Sequence, residues 1–287
     1  MANTRAERRG KLRLGALAAA AAAAALALLI PAAQAASAHA SARTTAADAG
    51  TKPSIVLVHG AWGDSANWDG VASRLQEDGY AVYVPPNPLE GLTYDAAAIR
   101  DFLDTISGPV ILVGHSYGGA VITNAATGDP NVKALVYVDA FVPAQGQTIG
   151  ELVSAVPGSC AGGSNLALVP YPGAPAGAED AYIKQSAFAS CMANGLPASE
   201  AAVLAATQRP LSTIALTQPS GVPAWATIPS WAVIGTADHA IPPAELLAMA
   251  RQAHARVTMI PGAPHLSMIS DPGIVTQVIL DAVHATT

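Results

Sequence analysis

The chain has 287 residues, 51% of them hydrophobic and 12% charged, which fits one large packed domain and excludes an intrinsically disordered polymer. No fixed-period repeat and no heptad pattern is present, so a solenoid and a long coiled coil are excluded. The formal net charge of −6 argues against phosphate backbones as partners.

Residues 1–35 read as a secretory signal peptide. Arg5, Arg8, Arg9, Lys11 and Arg13 form a basic start, and Leu14 to Ile30 is an unbroken Ala/Leu-rich run. Pro31 ends that run, and Ala33-Gln34-Ala35 supplies the small-residue cleavage site such peptides need. A membrane anchor is the alternative, but the run has 17 residues and is mostly Ala, short and weakly apolar for a span. Arg8-Arg9 leaves the export route, general or twin-arginine, open. Residues 36–52 are Ala/Ser/Thr-rich and read as a flexible leader. Cleavage leaves nine basic against nineteen acidic side chains, a net charge of −10. The expected product is a secreted protein without stable membrane association.

From residue 53 onward strand-like and helix-like segments alternate. Ser54 to Val58 is a continuous apolar run, the pattern of a strand covered on both faces. A helix is predicted from Asn67 to Asp78, a short strand from Ala81 to Val84, and a helix from Tyr94 to Ile106 capped by Thr93. Pro109 to Val113 is the next strand and runs into Gly114-His115-Ser116-Tyr117-Gly118. A helix to about Thr127 follows, then the strand Ala134 to Val138. Between Val142 and Thr227 no strand is predicted, only Pro/Gly-rich stretches and short helices near Glu179–Ala193 and Ala198–Thr207. Regularity returns with a strand at Ser230–Ile234, a helix near Pro243–Ala253, the strand Arg256–Ile260 and a last helix near Gly273–Val283. This alternation predicts a doubly wound, mostly parallel sheet. The 142–227 stretch is expected to be a mainly helical or irregular cap over the carboxyl ends of the strands, where such sheets bind ligands.

The chemistry concentrates at strand ends. Gly114-x-Ser116-x-Gly118 sits where a strand meets a helix, the context of a nucleophile elbow. Small neighbours permit the tight turn, and the helix N-terminus favours developing negative charge. His59-Gly60-Ala61-Trp62 closes the first strand. The backbone N–H groups of Ala61 and Tyr117 are therefore the expected oxyanion donors, with His59 a structural imidazole bracing the loop. Candidate bases are His239, His254, His265 and His284. His265 follows a strand and a Pro-Gly-Ala-Pro turn, so it can reach over the strand ends. Asp238 fits the acid, and Asp139, also at a strand end, is the alternative. Trp62, Trp225 and Trp231 are candidates for the wall of an apolar pocket. Cys160 and Cys191 both lie in the exported part, where a pair is most simply a disulfide. The bridge would close a loop of about 30 residues, a constraint of roughly 3–4 kcal/mol on chain-entropy grounds. It is expected to restrain the cap more than the core. No Cys/His spacing resembles a zinc site.

These motifs resemble the α/β-hydrolase superfamily, in particular the small branch with an HGAW-type loop that holds bacterial carboxylesterases, plant methyl-ester esterases and hydroxynitrile lyases. The likeness runs from about Pro53 to Val283. It implies the α/β-hydrolase fold, a Ser116–His265–Asp238 triad, an acyl-enzyme mechanism on small-molecule esters, and no metal or organic cofactor. The lyases carry a Thr where this chain has Gly60 and a Lys where it has Leu266, departures that favour ester hydrolysis. Lyase-like or other cofactor-free chemistry, and non-catalytic ligand binding, are the alternatives. Neither the substrate nor the oligomeric state is specified.

Overall fold

The computed structural model describes residues 52–287. The expected signal peptide and all of the leader but Lys52 lie outside the described residues.

A six-stranded sheet forms the core: β1 (Ser54–Val58), β2 (Val82–Tyr83), β3 (Val110–His115), β4 (Val132–Val138), β8 (Ser230–Gly235) and β9 (Arg256–Ile260). Their order is β2-β1-β3-β4-β8-β9, and every neighbouring pair is parallel. β3 and β8 are buried at every position, and β1 and β4 at all but one. Their Val/Ile/Leu runs are therefore continuous rather than alternating, because both faces are covered. α3 (Tyr117–Ala125) and α10 (Pro272–Thr286) lie against the central strands, and each carries a second helix, α2 (Leu92–Leu103) and α1 (Asp69–Glu77) respectively. Thr93 lies inside α2 rather than capping it, since the chain turns into the helix at Gly91 with φ 149°. α8 (Pro243–Gln252) packs on β8 and β9.

The strand order reverses beside β1, which has β2 on one side and β3 on the other. Chains leaving neighbouring strands at such a point diverge and open a crevice at the carboxyl ends. The His59 loop leaves β1 and the Ser116 turn leaves β3 there.

The inserted segment departs from the expectation of a helical and irregular cap. It contains α4 (Ile149–Ala155), α5 (Gln185–Cys191), α6 (Ala198–Thr207) and α7 (Ile214–Thr217). It also contains a three-stranded antiparallel sheet of β5 (Leu166–Val169), β6 (Asp180–Ile183) and β7 (Leu211–Ser212). The helix expected over Glu179–Ala193 is thus a strand, a break at Lys184, and a shorter helix. β6 alternates half-buried and buried residues, so one face meets the core while the other stays wet. A period-two signal only four residues long is masked by helix-favouring neighbours.

The cap is tied to the core by hydrogen bonds as well as by packing. Trp62 Nε1 donates to the Ala181 carbonyl at 2.8 Å, and the Ser212 N–H donates to the Leu89 carbonyl at 2.9 Å. Arg209 donates to the carbonyl of Asn87 at 2.9 Å. Cys160 and Cys191 are joined by a disulfide, with Cα atoms 5.6 Å apart.

Candidate active site

The site begins with a strained turn. Ser116 follows β3 and caps α3 with φ 51° and ψ −123°, a conformation non-glycine residues adopt at a cost on the order of 1–3 kcal/mol. The turn holds because its surroundings admit nothing larger. A Cβ at Gly114 would lie 2.6 Å from the Gly118 carbonyl oxygen, and one at Gly118 would lie 2.6 Å from the Val58 carbonyl oxygen. The two glycines let β1, β3 and α3 meet backbone to backbone, and that contact aims the serine above the sheet. The Ser116 N–H donates to the Val138 carbonyl at 3.2 Å, and the Ser116 carbonyl accepts from Phe141 N–H at 3.1 Å.

Three side chains far apart in sequence converge there. The Ser116 hydroxyl donates to His265 Nε2 at 2.9 Å across 149 residues of separation. His265 Nδ1–H donates to Asp238 Oδ2 at 2.8 Å. The other oxygen, Oδ1, accepts from the N–H groups of Ala240 and Ile241, both at 2.8 Å. One carboxylate thus closes its own turn and orients the imidazole together. Burial pushes the His265 pKa down, but the Asp238 charge and hydrogen bond, with the Asp139 charge behind them, pull it up by more, and the net shift is upward. His239, next to the acid, is exposed, and His254 and His284 are exposed on the surface.

Asp139 influences the His265 imidazole by its charge but makes no hydrogen bond to it. It ends β4 with φ 44° and is completely buried. Oδ1 accepts from the Gly235 N–H at 2.6 Å, and Oδ2 accepts from the Ser267 hydroxyl. Burial, followed by the nearby Asp238 charge, pushes its pKa up to about 7. Asp139 therefore ties the start of the Asp238 loop to α9 (Ser267–Ser270), just after His265. From sequence Asp139 is the alternative acid; its pairing with Ser267 has no sequence signal.

Ala61 and Tyr117, whose N–H groups are the expected oxyanion donors, belong to segments that meet at Ser116. A Cβ at Gly60 would fall 2.6 Å from Ser116 Cβ, so the loop after β1 passes directly against the serine. Ala61 and Tyr117 line the same pocket as Ser116 and His265. Among the described residues, neither the Ala61 N–H nor the Tyr117 N–H makes a backbone hydrogen bond outside the regular elements. The Tyr117 hydroxyl donates to Asp95 Oδ2 at 2.7 Å, and Asp95 also accepts from the N–H groups of Glu90 and Gly91. Burial raises the pKa of Asp95 against these bonds. Nothing in the sequence marks Asp95 beyond its place in the first turn of α2.

Two buried histidines brace the turn. His59 Nδ1–H donates to the Gly60 carbonyl at 2.9 Å, and its Nε2 accepts from Asn87 N–H at 3.0 Å. Burial lowers its pKa to about 4, so it stays neutral. His115 Nε2–H donates to the His265 carbonyl at 3.0 Å, and burial holds its pKa well below the usual value.

The pocket over Ser116 is apolar. Trp62, Phe141, Ile149, Val153, Leu211 and Leu216 are its large apolar side chains, and four of these six belong to the cap. Of the three tryptophans considered from sequence, only Trp62 lines it. Trp225 instead donates from Nε1 to the Pro143 carbonyl at 3.0 Å, and Trp231 lies within β8 under the Arg256 guanidinium. Among the described residues, no group of three or more His, Cys, Asp and Glu side chains is placed to hold a metal ion.

Comparison with known proteins agrees with this architecture. A curated carbendazim hydrolyzing esterase from Nocardioides sp. (strain SG-4G) is 38% identical over 112 residues, 34% of this chain and 46% of that protein. A pyrethroid hydrolase from Sphingobium wenxiniae is 34% identical over 110 residues, 34% of this chain and 39% of that protein. Each match thus spans less than half the relative's length. The crystal structure of tomato methylketone synthase I with 2-tridecanone superposes with a TM-score of 0.70 at 18% identity, covering 83% of this chain and 100% of that one. The model of the alpha/beta hydrolase family matches residues 55–278, a range that runs from β1 into α10 and takes in Ser116, Asp238 and His265, and the chain belongs to that family.

Proposed function

We propose that this protein is a serine hydrolase that cleaves carboxylic esters of small apolar molecules through an acyl-enzyme. The observation that carries the reading is the continuous hydrogen-bonded line from Ser116 Oγ through His265 to Asp238, set beneath an apolar pocket. In this mechanism His265 Nε2 takes the Ser116 proton as Oγ attacks the ester carbonyl. Asp238 fixes the Nδ1–H tautomer and stabilises the imidazolium. The Ala61 and Tyr117 N–H groups receive the oxyanion, and each such donor is typically worth about 10²–10³ in rate. His265 then protonates the leaving alcohol. Water, activated by the same imidazole, releases the acid and restores Ser116. The names of the two curated relatives, one an esterase and one a pyrethroid hydrolase, support the same class of reaction.

The lyase alternative is not favoured. The threonine that the resemblance associates with lyases would need a Cβ at position 60, which here would fall 2.6 Å from Ser116 Cβ. The position of their lysine is held by Leu266, which is buried. The basic start, the Ala/Leu run and the Ala33-Gln34-Ala35 site support export as a secreted protein.

The test is hydrolysis of p-nitrophenyl esters of increasing acyl length. Wild type should turn them over, and Ser116→Ala should lose about 10³-fold or more in kcat while keeping its circular dichroism. Ser116→Ala activity within tenfold of wild type would overturn the assignment.

A further inference from the structure

The loop that carries Asp238 is held from two sides. On the core side, Thr236 N–H donates to the Ile260 carbonyl at 3.0 Å and Ala237 N–H donates to the Ala263 carbonyl at 2.9 Å. On the cap side, four hydrogen bonds reach residues 237–240. Cys160 N–H donates to the His239 carbonyl at 2.9 Å. The Ser159 hydroxyl donates to the Ala240 carbonyl at 2.6 Å. Asn194 Nδ2 donates to the Ala237 carbonyl at 2.8 Å. His239 Nδ1–H donates to the Ser190 carbonyl at 2.9 Å. All four cap partners lie at a bridged cysteine or within three residues of one. Two come from the Cys160 side and two from the Cys191 side, so the disulfide joins the two arms that grip the loop.

We propose that the Cys160–Cys191 bridge, with Ser159, Ser190 and Asn194, is a brace that positions Asp238 against His265. From sequence the bridge is expected to restrain the cap more than the core; the brace extends its reach to the Asp238 loop. The inference rests on the triad reading of the preceding section. Without the bridge the two arms are independent segments between short elements, with few sheet hydrogen bonds of their own, and local opening of such segments is easy. The turn at Asp238 would lose its outer support while keeping its inner one. The Asp238–His265 contact would then be made part of the time. The same arm also shapes the pocket: Ala161, next to Cys160, lines it together with Ala240 and Ile241.

A brace of this kind should act on the chemical step and on the imidazole's proton affinity. The Cys160→Ala/Cys191→Ala double variant should lose about tenfold in kcat on p-nitrophenyl acetate, within the range that small misplacements of catalytic groups produce. KM should change by less than about twofold. The acid limb of kcat/KM should move to lower pH, because Asp238 helps to hold the His265 pKa up. Ser159→Ala/Asn194→Ala leaves the disulfide in place and removes two of the four bonds. It should show the same two changes at about two- to threefold in kcat, and it carries the test if the cysteine variant does not fold. A lower Tm with kcat and the acid limb unchanged in both variants would overturn the brace and leave the bridge purely structural. Asp238→Asn is measured in parallel. If it hydrolyses esters like wild type, the triad reading itself fails; if it is inactive while both brace variants match wild type, only the brace fails.

Discussion

The parallel core and the inserted cap are built on different logic. β1, β3, β4 and β8 are buried on both faces, and the groups proposed to touch the reacting atoms follow β1, β3 and β9 at the same edge of the sheet. The cap sheet β5-β6-β7 is short, antiparallel and half wet, and it supplies wall rather than chemistry. The proposed chemistry needs groups held to within fractions of an ångström, which buried parallel strands provide. Substrate choice needs a wall that can vary without unfolding the sheet, which an insertion provides. The acid loop is the exception, since it leaves the core at Gly235 and is gripped by the cap at residues 237–240.

The largest effect should come from the core. Asp238→Asn should lower kcat by about 10⁴ by favouring the wrong His265 tautomer. Asp139→Asn should cost far less activity, because Asp139 bonds Gly235 and Ser267 and not His265. Steady-state kinetics on the two variants checks this, and the reverse order would move the acid to the end of β4. A cap change should act through size. Leu216→Trp, filling the apolar wall, should lower kcat/KM for the octanoate ester by about tenfold, with a smaller loss for acetate. Equal losses on both esters would mean that the cap does not set acyl length. The smallest effect is in pH. His265 must be unprotonated to accept the Ser116 proton, and its pKa lies above the ordinary 6.5. Activity should therefore fall as pH drops, with the half-maximum of kcat/KM above pH 6.5. A half-maximum below that value would mean that burial outweighs the Asp238 charge.

What could be read in the sequence follows the same division. Continuous runs such as Ile111-Leu112-Val113 announce a buried strand because both faces demand apolar residues, and Gly114 and Gly118 announce the elbow because no side chain fits there. Ser116, Asp238 and His265 stand at strand ends, so their convergence follows from topology once the strands are placed. The cap strands were hidden because Asp180–Ile183 offers two buried positions in a stretch rich in Ala and Gly. The supports around the site were hidden for another reason. Tyr117 to Asp95, Ser267 to Asp139 and Asn194 to Ala237 are tertiary pairs between distant segments, and nothing local distinguishes those residues from ordinary polar ones.

The central claim is that Ser116 is a nucleophile activated by His265. The most direct measurement is intact mass and peptide mapping after treatment with a fluorophosphonate, comparing wild type with His265→Ala. One adduct on Ser116, formed rapidly in wild type and slowed by several orders of magnitude in His265→Ala, is the expected result. An adduct on another residue, or none from a protein that still hydrolyses p-nitrophenyl esters, would contradict it.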